Sequence, residues 1–151
     1  MNHPELAEKL FRDGYNCSQA VLCAFGDMTG LEHETAARLS SSFGGGLGRM
    51  REVCGAVSGA AMVLGLLRGC GDPENSAAKA EHYRLIQEFA RRFKEENGSI
   101  ICRELLSGTA VRSGGAPEER TPEYYKKRPC PELVSQAARI LDEMLEGSAE
   151  K

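Results

Sequence analysis

The chain has 151 residues, enough for a core that folds alone, and is read as one helical domain spanning residues 1–151. A net charge of −3 and a pI near 5.7 argue against a wholesale binder of nucleic acid or acidic membrane. The longest uncharged run, Val53 to Leu67, has 15 residues against the roughly 20 of a spanning helix. The opening MNHPELAEKL has neither a basic n-region nor an apolar h-region, so no secretory signal is expected and cytoplasmic residence follows. In a reducing compartment the six cysteines are expected to be ligands or reactive thiols rather than static bridges.

Ala plus Leu number 32, whereas Val, Ile and Thr together number 14, and no segment alternates apolar and polar residues with period two. An all-α bundle of about seven helices is predicted. The first starts at Pro4 and carries Leu6, Leu10 and Phe11 on one face, ending at Gly14. Asn16 caps the second, and Gln19 completes a capping box. That helix buries Val21, Leu22, Phe25 and Met28 and stops at Gly30. A third runs from Glu32 to Phe43, followed by the break Gly44-Gly45-Gly46-Leu47-Gly48. The helix from about Glu52 to Leu67 carries Gly55, Gly59, Ala60, Ala61 and Gly65, so neighbouring backbones can approach it closely. It reads as a buried, Gly/Ala-rich central helix that would also suit a homodimer interface. The longest helix runs from Pro73 to Asn97, with His82 on its apolar stripe as a satisfied core histidine. Ser99 is expected to cap a short sixth helix. A loop over 108–128 is long enough to be a lid or partner contact, and a last helix spans Pro131 to Glu146. His3 and His33 read as surface or cap residues, and Lys126-Lys127-Arg128 as a solvated loop.

The cysteines stand at 17, 23, 54, 70, 102 and 130, with no C-x-x-C. Four of them fall at or near predicted helix starts: Cys17 after the Asn16 cap, Cys54 after the glycine run, Cys102 after Ser99, and Cys130 before Pro131. Unpaired N–H groups there favour thiolate, the form that acts as nucleophile and metal ligand, and Cys17 and Cys54 are expected to ionise first. Cys23 sits among Val21, Leu22, Ala24 and Phe25 as a small hydrophobe, and Cys70 follows a helix end. The separations of 37, 48 and 28 residues provide no local chelate, so any shared site is assembled by the tertiary fold.

The stretch Tyr15-Asn16-Cys17-Ser18-Gln19-Ala20-Val21, the Gly44–Gly48 run and Cys54-Gly55-Ala56-Val57-Ser58-Gly59, with Cys102 and Cys130 beyond, resemble a small family described as redox-active. That family is named for its C…GCAxxG…C…C signature, and the core motif stands here as C-G-A-x-x-G. The resemblance extends over roughly residues 4–145 and implies a four-cysteine redox protein whose signature maps onto Cys17, Cys54, Cys102 and Cys130. Cys23 and Cys70 lie outside it.

Two readings of the four cysteines stay open. They form an iron–sulfur cluster or, less in keeping, a zinc site, or they work without cofactor as a dithiol/disulfide centre with Cys17 and Cys54 as its redox-active thiols. Gly44, Gly45, Gly46, Gly48 and Arg49, with Gly55 and Gly59 of the motif, are the candidate cofactor-approach residues. The glycine run lacks the Gly-Lys-Ser/Thr ending of a phosphate loop, and reads either as an interhelical turn or as a backbone nest for an anion or thiolate cluster, whose charge Arg49 and Arg51 immediately after it would suit. In a redox protein the partner is another protein or a small-molecule oxidant or reductant. The alternative is a non-catalytic module in which cysteine-bound metal staples helices and the long loop recruits a partner.

Overall fold

The computed structural model describes residues 1–107 and 112–149. Among these it is all-α: α1 (His3–Arg12), α2 (Cys17–Ala24), α3 (Gly26–Thr29), α4 (His33–Ser40) with a 3-10 turn over Ser41–Phe43, α5 (Gly55–Arg68), α6 (Ser76–Asn97), α7 (Cys102–Leu105), α8 (Pro122–Lys127) and α9 (Cys130–Ala149). The predicted second helix is two, since Phe25 leaves helical geometry between α2 and α3. Met28 is consequently exposed.

The predicted capping box at Asn16 is present, and a second one, not predicted, opens α1 ahead of Pro4. Asn2 and Asn16 each accept a hydrogen bond from the amide three residues on, and the side chains of Glu5 and Gln19 return the bond, closing two capping boxes. The Asn16 cap is also tied outward. Its Nδ2 donates to the Ser41 carbonyl, while Gln19 Nε2 donates to Ala37 and Ser18 Oγ to Ser40. The start of α2 is thereby locked to the end of α4.

α2 is the most completely buried helix, with every residue except Gln19 inside, and it packs on α1, α4 and α5. α5 shares the centre along its N-terminal part, where Gly55, Ala56, Val57, Gly59, Ala60, Val63 and Leu64 are buried. A Cβ on Gly59 would lie 2.7 Å from the Ser18 carbonyl oxygen, and one on Gly55 would lie 3.0 Å from the Cys17 Cβ, so these two glycines set the α2–α5 approach. Gly65 is different. It is exposed with open space around it, so the small-residue surface ends a turn and a half earlier than the sequence suggests. α9 packs along α1 and closes the core from the other side.

The glycine run and the residues after it form a strap over 44–52 unlike an ordinary turn. Five consecutive residues, Gly45 (φ 65°), Gly46 (71°), Leu47 (70°), Gly48 (54°) and Arg49 (64°), occupy the left-handed region, as does Arg51 (61°). For Leu47, Arg49 and Arg51 this conformation costs roughly 1–2 kcal/mol each. The amides of Leu47 through Glu52 are all bonded to carbonyls within residues 42–47, which holds the strap in this form. Beyond it, Val53 pairs with Ile101 in an isolated antiparallel bridge; Cys54 N donates to Ile100 O and Cys102 N to Glu52 O. That bridge sets two of the four signature cysteines side by side.

Candidate functional site

Four helix starts converge. Cys17, Cys102 and Cys130 are the first residues of α2, α7 and α9, and Cys54 is the N-cap of α5. All four are buried free thiols, and all four line one small cavity of about 50 Å³. Gly46 makes the convergence sterically feasible, because a Cβ there would lie 2.7 Å from the Cys102 Cβ. Cys23 and Cys70 lie elsewhere: Cys23 Sγ donates to the His33 carbonyl (3.8 Å), and Cys70 is exposed beyond α5.

Within the cavity Cys17 and Cys130 are the directly coupled pair, a thiol–thiol hydrogen bond being the largest influence on the protonation of each. That bond lowers the pKa of Cys130 and raises that of Cys17, so the thiol of Cys17 donates to the thiolate of Cys130. Against the penalty of burial, the positive charges of Arg128, Arg120 and Arg51 also favour the Cys130 thiolate. Burial pushes Cys54 up to about 12 despite favourable amide contacts from Ala56 and Val57. Cys102 is raised as well, by burial that outweighs the neighbouring Arg51 guanidinium, whose Nη1 lies 3.7 Å from its sulfur.

The expectation that Cys17 and Cys54 ionise first is therefore corrected. A helix N-terminus contributes about 0.3–2 kcal/mol, or at most ~1.5 pK units, whereas full burial can move a thiol by up to ~3–5 units. Cys130 escapes because its neighbours include a hydrogen-bond donor and three cations.

Of those cations the sequence reading singled out Arg51, and it missed Arg120 and the inward turn of Arg128. Arg51 (7% exposed) comes from the strap, and Arg128 (8%) immediately precedes Pro129-Cys130. Arg120 arrives from the segment 112–128, its guanidinium stacked 4.2 Å from the Phe11 ring centroid and bonded to the Phe11 and Tyr15 carbonyls. Arg128 lies over Tyr124 and is held by both oxygens of Glu118 at 2.8 Å. The basic run ending in Arg128 is thus not simply a solvated loop, because its last member turns inward. Proximity in sequence to Cys130 was a usable signal for Arg128; Arg120 had none. The predicted loop lies across the thiol cavity from Arg120 onward and contains α8, while residues 108–111 lie outside the described residues.

The remaining candidates divide. Gly45, Gly46 and Gly55 border the thiol cavity; Gly44, Gly48 and Arg49 border a neighbouring one; Gly59 borders neither and serves helix packing. The nest reading of the strap is not supported for the amides of 47–52, which are consumed internally. His82 is not a satisfied core histidine, as its buried Nδ1 has no hydrogen-bond partner among the described residues. His3 is more than a surface or cap residue: its ring bridges Asp27 (2.9 Å) and Asp142 (2.7 Å).

Among the described residues no three His, Cys, Asp or Glu side chains converge as a group that could hold a metal ion, and no helix is long and apolar enough to cross a membrane. No curated protein and no solved structure matches the chain. A family model described as "Putative redox-active protein (C_GCAxxG_C_C)" does match, over residues 15–144. Since that span holds all four thiols, the strap and every arginine around them, the chain belongs to this four-cysteine redox family.

Proposed function

We propose that the protein is a thiol–disulfide redox carrier whose working pair is Cys130 and Cys17. The observation that carries this reading is that both thiols open helices onto one small buried cavity walled by Arg51, Arg120 and Arg128, whose charges favour the thiolate of Cys130. A thiolate is the attacking form in disulfide exchange. The Cys130 thiolate attacks one sulfur of a disulfide R–S–S–R, forming a mixed disulfide and releasing RS⁻. Cys17, its proton passing to the departing thiolate, then attacks the Cys130 sulfur and releases the second RS⁻. The protein gains one Cys17–Cys130 bridge and loses two electrons and the one proton of Cys17; the acceptor becomes one RSH and one RS⁻, which takes its proton from solvent. Cys54 and Cys102, buried beside the pair and favouring the protonated form, act as its uncharged neighbours in the reduced state.

A second reading is favoured by the number of thiols on one cavity. Four cysteines on four helix starts, faced by guanidinium groups, are the donor type of an iron–sulfur cluster, though as placed they do not close round a single metal ion. Cys17, Cys54, Cys102 and Cys130 would hold it, and the cluster would supply one-electron exchange. In either case the arginines hold negative sulfur inside the protein, and Tyr124 and Phe11 keep water from it.

Anaerobic purification followed by iron and acid-labile sulfide analysis, with titration of the metal-free protein in dithiothreitol redox buffers, separates the two. The expected result for the first reading is a two-electron titration and a Cys17–Cys130 bridge in peptide maps. Stoichiometric iron and sulfide with a visible band bleached by dithionite would replace it with the second. Zinc without redox change would overturn both in favour of a stapled module.

A further inference from the structure

A cavity of about 260 Å³ adjoins the thiol cavity, and Arg51, Arg120, Tyr124 and Arg128 line both. Arg49 and Glu118 complete its charged wall. Four guanidinium groups thus face one carboxylate. Glu118 is occupied by Arg128 and, at 3.4 Å, by Arg49. Arg51 and Arg120 have no carboxylate partner among the described residues. Arg51 donates to the Arg112 carbonyl and Cys102 Sγ, and Arg120 to backbone carbonyls and the Tyr125 hydroxyl.

A guanidinium cannot discharge itself by losing a proton. A buried cation short of counter-charge costs several kcal/mol, and Arg51, more than nine-tenths buried, shares only the Cys130 thiolate with Arg120 and Arg128. The wall therefore carries an excess of positive charge that an anion would neutralise, and guanidinium forks match carboxylate oxygens. The space lies just under the roughly 300–1,000 Å³ of ordinary ligand pockets, which suits a small molecule better than a polymer.

We infer that this cavity binds the acidic end of the acceptor: a low-molecular-weight disulfide bearing carboxylate groups, held by Arg49, Arg51 and Arg120 with its sulfur–sulfur bond toward Cys130. The inference rests on the Cys17–Cys130 reading for the reaction, but not for the anion site itself. The reaction is the exchange written above, with this disulfide as R–S–S–R.

Calorimetry on the fully reduced protein with adipate and with hexane-1,6-diol tests the site without sulfur chemistry. Thiol-oxidation rates with 3,3′-dithiodipropionate and bis(2-hydroxyethyl) disulfide test the substrate. Adipate is expected to bind and the diol not, and the anionic disulfide to react at least about tenfold faster, within the range of electrostatic steering. Raising salt from about 20 mM to about 500 mM should close that gap in the unmodified protein, and Arg49→Gln should weaken adipate binding at least about fivefold. If adipate fails to bind and both disulfides close the Cys17–Cys130 bridge equally fast, the anion site is refuted and the thiol pair stands. If adipate binds but neither disulfide oxidises the pair, the thiol-pair reading and the substrate assignment fall together. If adipate binds and the two rates are equal, the substrate assignment is refuted.

Discussion

Cys54 and Cys130 occupy nearly the same local position, at the start of a long helix, yet their thiols are driven in opposite directions. The helix start is common to both; the difference is the Cys17 hydrogen bond and the arginines that reach Cys130 from the strap and the segment over it. Sequence position revealed that four thiols begin helices, but burial and the arrival of Arg120 are products of the tertiary fold. Brief alkylation of reduced, metal-free protein with iodoacetamide checks this. Because its folded pKa is lowered, Cys130 should remain thiolate below the range of a free thiol and should be the first of the four to label near pH 7. Its rate should fall only as pH drops through that lowered value, and Arg128→Gln should slow it several-fold. Cys17 or Cys54 labelling ahead of Cys130, read by peptide mass spectrometry, would contradict the charge distribution.

At the level of elements, the glycines of α5 are not equivalent, though the sequence presents them as one surface. Gly59→Ala places a methyl against the Ser18 backbone and Val21 side chain, where neither helix can yield without moving the Asn16 cap and Cys17. A loss of about 1–3 kcal/mol is expected, the usual range for overpacking. Gly65→Ala meets nothing within 4 Å and should gain up to about 1 kcal/mol from helix propensity. Urea unfolding of the two variants measures the contrast directly. A second contact between elements, equally invisible in sequence, is the His3 ring on α1, stacked on Phe25 and bridging Asp27 of α3 to Asp142 of α9. Burial alone would lower the His3 pKa, but hydrogen bonds and charge from Asp27 and Asp142 outweigh it and the net shift is upward. The stabilisation is therefore full below the unfolded value near 6.5 and fades as pH rises through the folded one. His3→Gln should lose up to about 1 kcal/mol at pH 5.5 and much less at pH 8.5, by urea midpoints at the two pH values.

Across the whole molecule, the helix pattern, the Asn16–Gln19 capping box and the grouping of four cysteines at helix starts were legible because each rests on local spacing. The left-handed strap was only half legible: the glycines announced a break, but Leu47, Arg49 and Arg51 adopt the same backbone region with no sequence signal for it. Least legible was the pairing inside the cavity, since Cys17 and Cys130 lie 113 residues apart and meet only after α1, α2 and α9 have packed. That distance has a thermodynamic consequence if the proposed carrier cycle operates. A bridge closing so long a loop removes much of the unfolded chain's freedom, worth roughly 2–4 kcal/mol and up to about 5 in the chain-entropy account. It would join the starts of α2 and α9, two helices already in contact, so little of this should be lost to rearrangement. Oxidised protein should therefore unfold at a higher urea concentration than reduced protein, with the added stability disappearing in Cys130→Ser. Cys70→Ser, remote from the cavity, should retain it. Equal urea midpoints for oxidised and reduced wild-type protein would mean that no bridge links these two helices, and the redox pair would have to be sought among the other thiols of the same cavity.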